Sequence, residues 1–216
     1  MLSTKNEELR RYATTVHNYR AKIPNVKIGD SPMHTLLIGH NPSNSTWETG
    51  HYFANPTNKF WKLVDESGLL DSVHYGNDAE IVQINDVMMV ANGFGFTDFI
   101  EMPGNDANAI KRADILANKE IFIKRIENYA NGINSQLKRI CFVGKKQWKQ
   151  QFSQALAKCE HGLQDADLRP SLWPKHINDL DIWVLPSPSG RAVISDNDRL
   201  KPYLLLSEAL KGADNV

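Results

Sequence analysis

The chain has 216 residues, enough for one domain of ordinary size. Hydrophobic residues make up 41% of it and charged residues 23%, a globular composition that excludes the disordered and fibrous classes. Lys and Arg total 25, as do Asp and Glu, so the formal net charge is zero, which is a mild argument against a protein that bulk charge holds to nucleic acid. A local basic surface remains compatible with DNA binding, because only charges near the phosphates contribute.

The two cysteines, Cys141 and Cys159, are too few for a disulfide framework or a four-thiolate iron–sulfur cluster. The start, MLSTKNEELRRYATT, lacks the apolar core of a signal peptide, and no run of about 18 apolar residues occurs. The histidines lack the spacing of metal ligands, so we expect no metal. These features predict an intracellular protein without a membrane partner, in the cytoplasm or nucleoid of a prokaryote or the nucleus of a eukaryote.

Residues 1–33 are predicted to form a polar, mostly helical extension, and residues 34–216 to form one domain. Pro24 and the turn-forming cluster at 29–32 separate the two. Short apolar runs predict buried strands at 34–38, 95–100, 139–143 and 182–185. Helical patterns are predicted over 58–69, 79–90, 109–129, 147–158 and 198–211. This alternation predicts an α/β fold, a three-layer sandwich with a mostly parallel central sheet and helices on both faces.

Three loops of unusual composition follow predicted strands. They are GHNPS at 39–43, GKK at 144–146 and PSPSGR at 186–191. Ligands bind at the carboxyl ends of the strands in such sheets, so if these strands are parallel neighbours the loops share one edge, where we expect the chemistry.

The first of these loops places Asn41 in a tight turn that presents an amide side chain and backbone N–H groups outward. Asn is a poor general base, so a reaction that relies on it needs a good leaving group or a cationic transition state. An ordinary strand-to-loop turn is the alternative interpretation of this pentapeptide alone.

Together with the residues after it, this loop resembles the first motif of the mismatch-specific uracil/thymine DNA glycosylases, G-x-N-P-G. In that family the motif is followed by a glycine–aromatic stretch and then by P-x-N-x-F-W. Here these are GHNP at 39–42, GHYFA at 50–54 and PTNKFW at 56–61. LPSPSGR at 185–191 resembles the second motif of the family, and GFGFTD at 93–98 and VGK at 143–145 resemble its intervening segments. The resemblance extends over residues 34–211 and implies a fold like that of uracil-DNA glycosylases.

The resemblance implies a monomeric, monofunctional enzyme that flips uracil, or thymine or another modified base, from mismatched double-stranded DNA. It would hydrolyse the N-glycosidic bond without a metal or organic cofactor. Asn41 would position the attacking water, and Arg191 would fill the vacated space in the duplex. Asp98 would lie near the base edge with a role in catalysis, and a solvated loop residue is the alternative interpretation of this position. The implied base-binding residues are Gly39, His40, Ser43 and Phe53. The implied DNA contacts are Lys145, Ser187, Ser189, Gly190 and Arg191.

Three positions depart from the family pattern, and they keep other functions open. Ser43 replaces a glycine, His40 replaces an apolar residue, and Asp98 stands where relatives carry Lys or Asn. One alternative is a relative that is specific for another deaminated base, such as hypoxanthine or xanthine, and another is a non-catalytic nucleic-acid-binding relative. An unrelated α/β hydrolase is disfavoured, because no G-x-S-x-G elbow is present.

Overall fold

A computed structural model describes residues 32–70, 86–132, 135–152, 159–164, 177 and 179–213. Its strands are β1 (Met33–Gly39), β2 (Phe94–Asp98), β3 (Ser135–Val143), β4 (Gly162–Leu163) and β5 (Asp181–Leu185). They form one five-stranded sheet in the order β2-β1-β3-β5-β4. All neighbours pair in parallel except β4, which runs antiparallel to β5 at the edge.

The helices are α1 (Asn44–Thr49), α2 (Phe60–Glu66), α3 (Asp86–Ala91), α4 (Arg112–Ala130), α5 (Lys145–Phe152) and α6 (Asp196–Ala213). No helix in the described part of the chain combines the length and the apolar character that crossing a bilayer requires.

Side chains of the central strands alternate between two faces of the sheet, and each face carries its own core. On β1, Leu36 and Ile38 pack into one cluster with residues of α4 and α5, including Phe122 and Trp148. Leu37 points to the other face, where it joins a cluster with buried residues of α2, α3 and α6. Helices therefore cover both faces, and the predicted three-layer α/β fold is confirmed.

The strand order creates a crevice at the carboxyl edge of the sheet. The chain leaves β1 for β2 on one side and then crosses over to β3 on the other side. The last residues of these strands lie level with one another, since Gly39 is in register with Asp98 and Ile38 is in register with Phe142. A crevice between two strands whose connections run in opposite directions is where ligands bind in open parallel sheets.

The predicted strands and helices match the observed ones within a few residues, and the differences have local causes. β2 ends at Asp98 rather than at Ile100; the N–H groups of Phe99 and Ile100 still donate to the carbonyls of Gly39 and His40, but these bonds join the loops that follow the two strands. The sequence patterns did not predict the six-residue α1 and the two-residue β4. The predicted N-terminal extension up to residue 31, and the predicted helical residues 79–85 and 153–158, lie outside the described residues.

Candidate active site

A cleft of about 700 Å³ opens at the carboxyl edge of the sheet. Its walls are the loops that follow β1, β2, β3 and β5, together with the segment between α1 and α2. The volume lies within the range of about 300–1,000 Å³ that is typical of small-molecule sites. Because parallel strands end at one edge, these loops bring together residues that are far apart in the sequence.

Asn41 lies in the turn after β1, and backbone carbonyls hold its side-chain amide. Its Nδ2 donates to the carbonyl oxygen of Gly104 at 2.8 Å and to that of Met102 at 3.2 Å. The segment that carries these carbonyls is tied back to the turn by the bond from Gly104 N–H to Pro42 O at 2.9 Å. Carbonyls only accept hydrogen bonds, so the amide NH₂ faces them and Oδ1 faces the other way.

The His40 ring connects Asn41 to helix α5. Its Nδ1 lies 2.8 Å from Asn41 Oδ1, and its Nε2 lies 2.7 Å from Gln150 Oε1. Burial lowers the pKa of His40 more than the hydrogen bonds to Asn41 and Gln150 raise it, and the charge of Lys146 lowers it further. A lowered pKa shifts this imidazole toward its neutral form at pH 7, in which only one ring nitrogen carries a proton.

Ser43 lines the cleft and also begins helix α1. Its Oγ accepts the N–H of Thr46 at 3.1 Å, which is the usual bond of a helix N-cap. Its φ is −71°, a value that any residue adopts, so the backbone at this position does not require a glycine.

Phe53 provides an aromatic wall of the cleft in an unusual backbone conformation. Its φ of 55° lies in the left-handed region, which non-glycine residues seldom occupy. Its ring stacks on Phe60, with centroids 3.9 Å apart and planes inclined by 20°. The preceding residues are anchored by the buried Asp86, whose carboxyl accepts the N–H of Tyr52 at 2.7 Å and lies 2.8 Å from His51 Nδ1. These contacts hold the strained residue in place.

Asp98 ends β2 with its carboxyl buried in the cleft wall, and its side chain packs so closely on Gly39 that a Cβ at Gly39 would overlap Asp98 Oδ1. Burial raises the pKa of Asp98 to about 7, with Glu101 adding to the rise and Arg125 opposing it. The guanidinium of Arg125 pairs with Glu101 at 2.8 Å and donates to the backbone carbonyls of Asp98 and Phe99, and its charge lowers the pKa of Asp98 less than burial raises it. At neutral pH a large fraction of Asp98 is therefore an uncharged acid.

The loop after β5 carries Arg191 to the rim of the cleft on a braced backbone. Pro188 O accepts the N–H of Lys59 at 2.9 Å. Gly190 lies so close to Thr57 that an added Cβ would be 2.9 Å from its carbonyl oxygen, which explains the need for glycine there. Ser189 Oγ accepts the N–H of Arg191 at 3.3 Å. The Arg191 side chain is 70% exposed and lies 3.5 Å from Asp106, so the cation projects from a fixed base.

Two lysines follow β3, at the start of helix α5. Lys145 is partly exposed and lies 3.8 Å from Glu160, and Lys146 Nζ donates to Asn108 Oδ1 at 2.7 Å. Both line the cleft and supply local positive charge on a chain of zero net charge. Within the described residues, no group of three or more His, Cys, Asp or Glu is arranged to hold a metal ion.

A family model described as the uracil DNA glycosylase superfamily matches residues 26–211 of the chain, which include every strand of the sheet and every loop of the cleft. The chain belongs to this superfamily. It is therefore a DNA glycosylase, a hydrolase of DNA repair that acts on uracil-like bases, and DNA is its partner.

All the site residues that the sequence predicted in this glycosylase line the one cleft. They are Gly39, His40, Asn41, Ser43, Phe53, Asp98, Lys145, Ser187, Ser189, Gly190 and Arg191. The structure brings them together, and their individual roles stay predictions.

Sequence reasoning missed one segment of the glycosylase cleft and one residue that contacts its lining. The first is the segment 104–108, which follows β2 and could have been found by the same rule that selected the other loops, since it comes after a parallel strand and is rich in Gly, Asn and Asp. The second is Gln150, which lies one turn into α5 and reaches His40. Nothing in a helical Gln residue signals such a contact in the sequence.

Proposed function

We propose that this glycosylase is a monofunctional enzyme of the mismatch-specific uracil/thymine type. It flips uracil, and in the same setting thymine or another modified base, out of duplex DNA and hydrolyses the N-glycosidic bond, which initiates base excision repair. The observation that carries the proposal is that Asn41, Phe53, Asp98 and Arg191 all line one cleft. An amide, an aromatic ring, a buried acid and an exposed cation are the groups that such a reaction uses.

The exposed side chain of Arg191 performs the first step, the extrusion of the base. Taking a base out of the stack costs a few kcal/mol, and the cost is least where the base is mismatched. The long stem of the arginine fills the vacated space, while its guanidinium meets bases or phosphates. The bracing of its loop by Lys59 and Thr57 supports this role, because a wedge transmits force only from a rigid base.

The flipped nucleotide is then held by stacking and by phosphate contacts. The base stacks on Phe53, whose ring is backed by Phe60, and such stacking is worth about 1–3 kcal/mol per base. Ser187 and Ser189, with Lys145 from the start of α5, contact the flanking phosphates. These contacts fix register and carry no sequence preference, which suits an enzyme that finds a lesion in any context.

Bond cleavage follows a path that does not need a strong base. The bond between the sugar C1′ and the base nitrogen breaks with its electron pair on the base, and the sugar becomes cationic. Backbone N–H groups between His40 and Ser43 meet the charge on the base, and in comparable sites each such donor is worth about 2.7–4 kcal/mol. Pro42 has no N–H and contributes none. Asn41 Oδ1 orients a water whose oxygen bonds to C1′ and whose proton is lost afterwards.

The uncharged form of Asp98 supports departure of the base. A carboxylate at this position would repel an anionic leaving base, whereas the protonated acid can donate a hydrogen bond to a ring oxygen. Burial, which raises the pKa of Asp98 to about 7, supplies the protonated form near neutral pH.

A panel of defined duplexes under single-turnover conditions tests the proposal. Each duplex carries one lesion at the same position of the same sequence. The lesions are uracil opposite guanine, thymine opposite guanine, uracil opposite adenine, hypoxanthine and xanthine. We expect base release to be fastest for uracil opposite guanine, with an abasic site as product and no strand cleavage by the enzyme. Equal rates opposite guanine and adenine would contradict the mismatch preference, and strand cleavage would contradict a monofunctional enzyme.

Asn41→Ala is the matching active-site variant. We expect it to lower the single-turnover rate by at least about 100-fold with DNA binding mostly retained, because the variant loses the group that orients the water. Asn131→Ala serves as the control, since Asn131 is an exposed residue at the end of α4 and does not line the cleft. Cleavage that is unchanged in Asn41→Ala removes Asn41 from the mechanism, and absence of cleavage in the unmodified protein identifies a non-catalytic relative.

A second candidate substrate class rests on Asp98. A protonated acid offers one donor and one acceptor side by side, which matches the adjacent carbonyl and N–H of hypoxanthine as well as those of uracil. A faster rate for hypoxanthine than for uracil in the panel would move the assignment to an enzyme for deaminated purines.

A further inference from the structure

The surroundings of Asn41 give each atom of its amide a separate task. The NH₂ group is committed to the carbonyls of Met102 and Gly104. Oδ1 therefore faces His40 Nδ1 at 2.8 Å, and because an amide oxygen only accepts, that ring nitrogen carries the proton. An amide oxygen has two lone pairs, so one remains after the contact with His40. Asn41 lines the cleft, where a water can take that second lone pair.

We propose that His40 is a positioning residue for the glycosylase reaction, whose Nδ1–H locks the Asn41 amide in the orientation that presents its second oxygen lone pair to the attacking water. Gln150 holds the ring at its other nitrogen. The inference rests on the proposed role of Asn41 and adds to it the residue that fixes the direction of its oxygen. His40 itself touches neither the base nor the sugar in this scheme.

Gln150 suits this task because its terminal amide serves both protonation states of the ring. When the imidazole is neutral, with its proton on Nδ1, Nε2 is an acceptor and the Gln150 amide presents its NH₂. When the ring is protonated, Nε2 donates and Gln150 presents its oxygen, as in the 2.7 Å contact. The last torsion of a Gln side chain is broad, so exchange between the two arrangements is easy. The bond from Nδ1 to Asn41 persists in both.

The lock is needed because the reaction tolerates little displacement. Held only by the two carbonyls, the Asn41 amide can still swing about them, and its free oxygen would turn toward solvent. A displacement of about 1 Å in a reacting group costs on the order of 100-fold in rate. The Nδ1–H of His40 prevents this movement by binding Oδ1, so the Asn41 amide is held at its oxygen as well as at its NH₂ group.

Two substitutions at this position separate a positioning role from a purely structural one. His40→Ala removes the donor, and we expect the single-turnover rate on the uracil–guanine duplex to fall by about 10- to 100-fold while the apparent Kd for DNA changes by less than about threefold. His40→Asn brings an amide NH₂ to the place of the Nδ1–H and should recover most of the rate. If His40→Ala retains the full rate, or if His40→Asn is as slow as His40→Ala, the proposal is wrong.

A second readout does not depend on cleavage. With ¹⁵N-labelled histidine in the full chain, NMR distinguishes the two neutral tautomers, and His40 is assigned by the loss of its signals in His40→Asn. We expect the Nδ1–H form, which is the minor form of imidazole in water, and we expect it to be lost in Asn41→Ala. An Nε2–H ring in the unmodified protein overturns the lock, whatever the enzyme cleaves.

The two readouts keep this proposal distinguishable from the proposed function. If the unmodified protein cleaves no lesion while His40 shows the Nδ1–H form, the glycosylase mechanism fails and the hydrogen-bonded chain remains. Should His40→Ala not fold, Gln150→Leu takes its place, and its rate should lie below that of the unmodified protein with DNA affinity retained. An unchanged rate in a Gln150→Leu enzyme that has also lost the Nδ1–H form would contradict the proposal.

Discussion

The buried carboxyl of Asp98 makes the stability of this protein depend on pH in a direction opposite to that of most acidic side chains. Its pKa is raised from 3.8 to about 7 because the charged form is cut off from water. The decisive perturbation is Asp98→Asn, which keeps the shape of the side chain and removes the titrating proton.

The size of the effect follows from the two pKa values. Below about pH 4, Asp98 is protonated in both the folded and the unfolded chain and contributes no pH dependence. Between about pH 4 and pH 7 the unfolded chain releases the proton while the folded chain keeps it, and the free energy of unfolding falls by about 1.36 kcal/mol per pH unit. Above about pH 7 the loss is complete and amounts to roughly 4 kcal/mol.

Urea denaturation of the unmodified protein and of Asp98→Asn, from pH 4 to pH 8, measures this contribution. We expect the variant to gain stability relative to the unmodified protein across this interval, up to roughly 4 kcal/mol at pH 8. Glu101 and Arg125, the charged groups that act on Asp98, are present in both proteins, so the difference measures the ionisation of Asp98 together with its coupling to these two groups. Asp65→Asn on α2 controls for the loss of one exposed negative charge.

A difference in the free energy of unfolding that stays flat from pH 4 to pH 8 would refute this reasoning. It would mean that the Asp98 carboxyl ionises as easily in the folded chain as in the unfolded one. The protonated acid invoked for departure of the base would then have no support at neutral pH.

The remaining predictions concern the rim and the floor of the cleft. Arg191→Ala should slow excision from duplex DNA much more than excision of the same lesion from a single strand, and equal slowing on both substrates would refute the role of Arg191 as a wedge. The same variant should change the free energy of unfolding by less than about 0.5 kcal/mol, because the contact with Asp106 is an exposed ion pair. Gly39→Ala should destabilise the protein by about 1–3 kcal/mol by pushing its methyl group into Asp98, as measured by urea denaturation. Most of that cost should vanish in a background of Asp98→Ala, and a cost that persists there would exclude the overlap as its cause.

Much of the fold could be predicted because its central strands are continuous apolar runs that end in Gly or Pro. β1, β5 and residues 139–143 of β3 are largely buried on both faces and so carry a strong signal in the sequence. The first four residues of β3 are polar or partly exposed, which is why the predicted strand began only at residue 139. Helix α1 gives no such signal, since of its six residues only Thr46 is buried and no apolar periodicity arises. β4 is a two-residue edge strand, too short for any alternation to be seen.

The convergence of the loops after β1, β3 and β5 was predictable, because it follows from parallel strands ending at one edge. The contacts inside the site were not. Asn41 is held by main-chain oxygens of Met102 and Gly104. Because every residue of any chain has a main-chain carbonyl, no residue type indicates which carbonyl will make such a contact. The contact between His40 and Gln150 spans 110 positions along the chain and depends on the helix phase of α5.

The dependence of Asn41 on oxygens from a neighbouring loop sets a limit on how this reaction centre can be transplanted or redesigned. Residues 39–43 grafted alone onto another parallel sheet would bring the amide without its acceptors. The stretch from Phe99 to Gly104 would have to travel with them, because its bonds to Gly39, His40 and Pro42 make the two loops one inseparable unit. A single deletion between residues 99 and 104, although it removes no catalytic side chain, should therefore disable the enzyme as thoroughly as replacing Asn41.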